Sequence, residues 1–354
     1  MRVGIDLAST AGQKSGLGFY TDSMVTALTH FSDIELVTLD RIHRNLRTPE
    51  RILWDQIGIP LAFLTKHIDV LYTTAFSAPV FHKPVVMTVH DIYGVHYPER
   101  FSKLARYYWR TVLPRSIKRA SHIIAISEYT KHDLITQLGI SEKKITVAPP
   151  ATDPRFKPIR DARLCADTLK RLHIDNPFLL TVGTLEPRKN IARLIEAFAH
   201  AKRQDHILVI VGKKGWDYED IFRTIDKYHL KDHVRILEYV TQEDLIVLYN
   251  TCTGVMLPSI FEGFGLPALE AMQCGAAVAV SHTTSLPEVV GEAGLQFDPL
   301  NIQEMRIRME ILINDDAART ELQHKALKTA ATFSWERSSA SVHTILKSVF
   351  ERNA

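Results

Sequence analysis

Cysteine is nearly missing from this chain. Cys165, Cys252 and Cys274 are the only three in 354 residues, widely spaced and without CxxC or CxxH company. Neither a disulfide framework nor a zinc site is indicated, and three buried thiols are expected. Long hydrophobic runs are missing too. The richest stretches, Ile207 to Val211 and Ala276 to Val280, fall far short of the ~20 apolar residues that span a bilayer, so an integral membrane protein is not expected. Met1-Arg2 leads directly into strand-like Val3 to Leu7 with no apolar leader or cleavage site, which points to a cytoplasmic location. No repeat or low-complexity segment appears.

Net charge is also small, +3 from 43 basic and 40 acidic residues. It is unevenly divided: residues 1 to 160 hold 21 basic and 14 acidic side chains, and the rest holds 22 and 26. The two halves therefore face different partners, or one half faces a negative surface. A 45% hydrophobic share over this length fills two cores of ordinary domain size.

Short β-branched runs alternate with helical patterns through most of the chain, predicting an α/β fold with parallel sheets. The first set of strands is Val3 to Leu7, Glu35 to Thr38, Val70 to Thr73, Val85 to Val89, His122 to Ile126 and Ile145 to Val147. The second set is Phe178 to Val182, Ile207 to Val211, Val234 to Leu237, Gly254 to Leu257, Ala277 to Val280 and Leu295 to Phe297. Between them, residues 149 to 158 pack four prolines into ten positions. Such a stretch continues neither a helix nor a central strand, so it reads as a linker. The expected boundaries are 1–158, 159–334 and a terminal amphipathic helix, 335–354, with apolar or small residues at Trp335, Ser338, Ser339, Val342, Ile345, Leu346 and Val349.

The strongest local motif runs from Leu257 to Met272 and places Glu262 and Glu270 eight residues apart. On one helix that spacing leaves them ~80° off a common face. Pro267 fits the first helical position, which puts Glu262 in the preceding loop beside Gly263, Phe264, Gly265 and Leu266, and Glu270 in the helix's first turn. Backbone N–H groups at such a start suit oxygen-rich ligands, and a carboxylate suits paired ribose hydroxyls. A purely structural role, with Glu270 complementing the helix dipole, fits the same pattern.

A second strand-loop-helix follows Phe178 to Val182 and carries Gly183, Arg188, Lys189 and Asn190. Asn190 reads as an N-cap. Two cations just before a helix start are disfavoured by the dipole unless an anion binds there, and diphosphate fits. A solvated basic loop is the plainer alternative. In the N-terminal loop, Gly16-x-Gly18 is followed by Thr21 where the dinucleotide fingerprint needs glycine, and no GxxxxGK[ST] occurs. His90 follows a predicted parallel strand, where open α/β sheets place ligand-contacting groups, and a satisfied structural histidine fits the same position. Residues 100–119 hold Arg100, Lys103, Arg106, Arg110, Arg115, Lys118 and Arg119 among aromatics. They fit either a peripheral contact with anionic membrane or a solvated helix face.

Taken together, Val182 to Asn190 and the Glu262-x7-Glu270 block within Pro258 to Met272 resemble the retaining glycosyltransferases of group 1, family 4, which have the GT-B fold. Within the family, the Glu-Pro-Arg-Lys-Asn stretch at 186–190 is similar to that of bacterial mannosyltransferases of surface-polysaccharide assembly. The resemblance implies two Rossmann-like domains facing a central cleft, with the terminal helix returning to the first. It implies transfer of a sugar from a nucleotide-diphosphate donor, GDP-mannose favoured and a UDP-sugar the alternative, to a glycan or lipid-linked acceptor, without metal or further cofactor and without a nucleic-acid partner. By motif position Glu270 binds the ribose, and Glu262 with residues 263–266 holds the sugar. Arg188 and Lys189 hold the diphosphate, His90 the transferred sugar, and Gly16 to Gly18 close over the phosphates. Gly183-Thr184 stands where many members have Gly-Arg, so Arg188 is expected to replace that cation. A nicotinamide oxidoreductase and a non-catalytic two-domain binding protein are the rival classes; the first lacks its GxGxxG, and the second needs no cation pair.

Overall fold

The computed structural model describes residues 1–7, 16–39, 48–74, 78–80 and 84–353. They form two compact units, Met1–Ala151 with Ser334–Ala354, and Thr152–Phe333.

The first unit is built on a six-stranded parallel sheet of β1 (Arg2–Ile5), β2 (Glu35–Thr38), β3 (Val70–Thr73), β4 (Val85–Val89), β5 (His122–Ala125) and β6 (Ile145–Val147), in the order β2-β1-β3-β4-β5-β6. All five residues of β4 are buried, as expected of a central parallel strand covered on both faces. Register pairs Val3 with Val70 and Met87 with Ile123. The helix Trp335–Glu351 completes this unit. It packs on the helix Gly16–Leu28 and on β3, β4 and β5, burying Val342, Leu346 and Val349. Trp335 meets Phe19 and Tyr20 edge-on, and His343 stacks on Phe31 at 4.2 Å.

The second unit has β7 (Phe178–Val182), β8 (Ile207–Val211), β9 (Val234–Leu237), β10 (Gly254–Leu257), β11 (Val278–Ser281) and β12 (Gly294–Phe297), in the order β12-β11-β10-β7-β8-β9. Chain direction across the sheet therefore reverses between β7 and β10. In an open parallel sheet this switch point leaves a crevice at the carboxyl ends of the two strands. Its core joins Leu179, Leu208, Met256 and Ala279 to Leu194 and Phe198 of the helix Ile191–His200.

The first boundary lies at Ala151–Thr152, earlier than the expected 158–159. The reason is local: the segment after it is tied to the helix Gln242–Thr251. Gln242 donates to Asp153 (3.2 Å), Arg155 pairs with Glu243 (3.0 Å), and Asn250 donates to the Lys157 carbonyl (3.1 Å). The other division falls before Ser334, whose hydroxyl caps the terminal helix by accepting from the Arg337 amide.

Candidate active site

The loops after β7 and β10, the two strands flanking the switch point, carry the motif residues. After β7 the chain passes Gly183 and enters a short 3-10 turn, Pro187–Lys189, ahead of the helix Ile191–His200. After β10 it passes Pro258 to Gly265 and enters the helix Leu266–Gln273.

The loops are joined through Glu262, which is only 9% exposed. Lys189 Nζ lies 2.6 Å from its Oε1 and Arg188 Nη1 2.9 Å from its Oε2. Ser259 donates to Oε1 at 2.6 Å. Burial would push this carboxyl up; the Lys189 and Arg188 charges with the Lys189 and Ser259 hydrogen bonds outweigh it and hold it down to about 2. Arg188 also donates to the Phe261 carbonyl and pairs with Glu186 at 2.8 Å. The predicted charge conflict is thus answered within the protein by two carboxylates.

Asn190 departs from its expected role. It sits at the N-cap with left-handed φ of +57°, but its side chain makes no cap bond. Its Nδ2 instead donates to the carbonyls of Pro258 (3.1 Å) and Pro299 (2.7 Å), and its Oδ1 accepts from Arg193. Two backbone acceptors from distant loops are satisfied by one buried amide, so Asn190 sets the spacing of the loops that carry the charges.

Glu270 is the fifth residue of its helix, beyond the first turn. Dipole complementation, concentrated in the first turn, is therefore a poor account of it. Tyr249 donates to Glu270 Oε2 at 3.0 Å. Burial raises its pKa to about 7, against the lowering effect of the Tyr249 bond; Asp153 raises it further and Lys189 lowers it. Between the two glutamates, Gly265 has φ of +105° and would place a Cβ 2.5 Å from Leu286, so glycine is required there. Ser285 donates to the carbonyls of Glu262 and Phe264, both at 2.9 Å, and Thr284 accepts from the Glu262 amide at 3.1 Å. Phe264 is buried against Phe333. A Cβ on Gly183 would lie 3.0 Å from Lys189 Cε, and one on Gly212 would lie 1.9 Å from the Gly183 carbonyl oxygen. Backbone closeness, rather than side-chain chemistry, is what these glycines supply.

Within the second unit the structure therefore gathers Gly183, Arg188, Lys189, Glu262, Gly263, Phe264, Gly265, Leu266 and Glu270 around one pair of strand ends. Tyr249, Ser259, Thr284, Ser285 and Gly212 were not anticipated. Ser259 lay inside the quoted motif; Tyr249, 21 residues before its partner, left no signal.

In the first unit, His90 directly follows β4. Its Nε2 is 2.8 Å from the Thr74 carbonyl. A carbonyl only accepts, so Nε2 carries the proton and Nδ1 is an acceptor in the neutral ring. Burial lowers its pKa to about 4, despite the Thr74 bond. The Tyr20 ring stands edge-on at 4.7 Å. Gly16 and Gly18 open the helix Gly16–Leu28, with Gly18 buried. The Ser9 to Ser15 part of that loop lies outside the described residues. Among the described residues no cluster of three His, Cys, Asp or Glu side chains is placed to hold a metal ion.

The family model for group 1 glycosyl transferases matches residues 170–330, and that for glycosyltransferase family 4 matches residues 27–156. Escherichia coli O-antigen chain mannosyltransferase B is 32% identical over 270 residues, 74% of this chain and 71% of that protein. The chain belongs to the group 1, family 4 glycosyltransferases. The serotype-specific mannosyltransferase WbdA of E. coli is likewise 32% identical, over 78% of this chain, which spans about a third (34%) of that longer relative. Anabaena HepE, solved in complex with UDP and glucose, superposes with a TM-score of 0.79 at 20% identity, covering 98% of this chain and 100% of that one. The glycosyltransferase thus has the GT-B fold, and the oxidoreductase and non-catalytic readings are set aside.

Proposed function

We propose that this glycosyltransferase moves mannose from GDP-mannose to a hydroxyl of a lipid-linked surface-polysaccharide glycan, with retention at the anomeric carbon. The observation that carries the reading is the Lys189–Glu262–Arg188 cluster at the switch point, with Glu270 one helix turn beyond the glycine loop. The choice of sugar is supported by the mannosyltransferase relatives. A UDP-sugar donor is the second reading, favoured by the UDP complex of the structural neighbour.

In this reading Glu270 takes the ribose hydroxyls and Lys189, with Arg188, neutralises the departing diphosphate. Glu262 and the backbone of Gly263 to Leu266 hold the sugar, and the neutral His90 ring offers an acceptor to a sugar hydroxyl. Gly16 and Gly18 close over the phosphates. The C1–O bond to the diphosphate breaks, the acceptor oxygen bonds C1, and the acceptor's proton passes to the leaving phosphate oxygen. Front-side attack is supported over a glycosyl-enzyme on Glu262, because both oxygens of that carboxylate are already engaged by Lys189, Ser259 and Arg188. Three free thiols, Cys165, Cys252 and Cys274, support a reducing, cytoplasmic setting.

The test is a donor screen, GDP-mannose, UDP-glucose and NAD, by calorimetry and by transfer to a lipid-linked glycan. GDP-mannose turnover giving an α-linked product is expected. Transfer from UDP-glucose alone would replace the donor, and binding without turnover would sink the reading.

A further inference from the structure

The segment Thr48 to Thr65 is a helical run. It comprises an α-helix (Thr48–Leu53), one π turn (Trp54–Gly58) and a second α-helix (Ile59–Thr65); residues 41 to 47 lie outside the described residues. Its amphipathicity is inverted. The polar side chains point inward: Arg51 pairs with Asp6 and with buried Asp55 (2.9 Å), and Trp54 donates to Asp6 (3.2 Å). Gln56 donates to the Ala78 carbonyl and accepts from the Val80 amide. The outward positions are Leu53, Ile57, Leu61 and Leu64, each 59 to 69% exposed. Between Arg51 and Lys66 no charged side chain is exposed. Spacings of four, four and three keep the aliphatic groups on one stripe. An ordinary water-facing helix would carry its charges there.

The neighbouring run, Lys103–Tyr107, Tyr108–Val112 and Leu113–Arg119, lies beside it. Ser116 donates to the same Ala78 carbonyl that Gln56 uses (2.8 Å), and Tyr108 and Trp109 share a core cluster with Trp54, Ala62 and Phe63. That run exposes Lys103, Arg110, Arg115 and Lys118, together with Leu104 and Tyr107. An exposed aliphatic stripe with a cationic helical run packed next to it is complementary to a bilayer whose surface is anionic and whose interior is apolar. A second copy of the same face would set the cations against each other.

We propose that the Leu53–Ile57–Leu61–Leu64 stripe seats this protein on an anionic lipid bilayer, with Lys103, Arg110, Arg115 and Lys118 engaging the headgroups. Of the aromatics in residues 100–119, Tyr108 and Trp109 are packed inward and Tyr107 is exposed; the aliphatic stripe itself belongs to the other helical run. The inference does not rest on the choice of sugar or donor, and vesicle binding is read without turnover.

The test is sedimentation of the full chain with vesicles of phosphatidylcholine alone or with phosphatidylglycerol, plus gel filtration with light scattering. Wild type is expected to partition at least ~10-fold better onto phosphatidylglycerol vesicles, with the advantage falling at high salt. Ile57→Asp with Leu61→Asp should lose the binding while keeping its circular dichroism. Arg110→Glu with Lys118→Glu should lose only the lipid-charge dependence. Because the stripe is exposed, Ile57→Ser with Leu61→Ser gives a second variant that keeps the fold. Equal binding by wild type and both stripe variants would overturn the proposal. So would a lipid-free dimer abolished by those variants, which assigns the stripe to a second copy.

Discussion

Lys189 Nζ stands 2.6 Å from Glu262 Oε1, bridging the loops that follow β7 and β10. Both groups are largely buried, and with Arg188 they form a preorganised cluster. Loss of one member of such a buried set costs more than its net attraction contributes, because the survivor stays desolvated and unpaired. The Glu262 carboxyl, held down to about 2, adds stability that is present above its ordinary range and disappears as pH falls through about 2.

Exchanging Lys189 for Ala should lower kcat by ~10²-fold, the size of losing one preorganised contact to a developing negative charge. KM for the donor should change less. Steady-state kinetics with GDP-mannose at saturating acceptor measures both, and a kcat within about threefold of wild type would remove Lys189 from leaving-group stabilisation.

Donor binding should depend on pH through Glu270. In the proposed role the ionised carboxylate holds the ribose, and burial places its pKa at about 7 among Tyr249, Asp153 and Lys189. Affinity for GDP-mannose should therefore rise with pH, being about tenfold weaker at pH 6 than at pH 8. Glu270→Gln should bind weakly at both. Stability runs the other way: a carboxyl with a raised folded pKa contributes stability that is lost as pH rises through about 7. Glu270→Gln should accordingly melt higher than wild type at pH 8, with the difference closing towards pH 5. Calorimetry and thermal melts report the two effects separately, and a pH-independent affinity in wild type would refute the ribose assignment.

Asn190→Ala removes the donor shared by the Pro258 and Pro299 carbonyls and leaves Cβ in a left-handed conformation. A loss of about 3 kcal/mol is expected in urea unfolding. Asn190→Gly separates the causes, since it relieves the backbone and still lacks the amide. Equal stability of wild type and Asn190→Gly would show that the loop spacing does not depend on those bonds.

The strands were legible in the sequence because central parallel strands are buried on both faces and read as unbroken β-branched runs. Val85 to Val89 and Ile207 to Val211 have the extents their composition indicates. At β11 the strand instead begins at Val278 and ends on Ser281, a polar residue that composition leaves out. Its hydroxyl is spent on the Ser259 carbonyl, and its backbone pairs with Phe297. The glutamate pair and the two cations were legible as a motif, yet their mutual pairing was not, since contacts across 73 residues carry no local pattern. The helix through Ile57 was illegible for a different reason. Its polar residues face inward and Pro60 follows a π turn that absorbs the missing hydrogen bond, so neither periodicity nor breaker rules identify it.

The helix Trp335–Glu351 closes the first unit from the far side of the sequence, after the whole of Thr152–Phe333 has intervened. On the ribosome, the apolar surface of Gly16–Leu28 and its sheet must wait for a partner that emerges later by roughly 10 to 40 seconds at ordinary elongation rates. The unit encoded first is therefore finished last, and during that interval a nascent chain carries both this uncovered face and the Leu53–Leu64 stripe. Birth, for this protein, is the stage at which chaperones have most to hold.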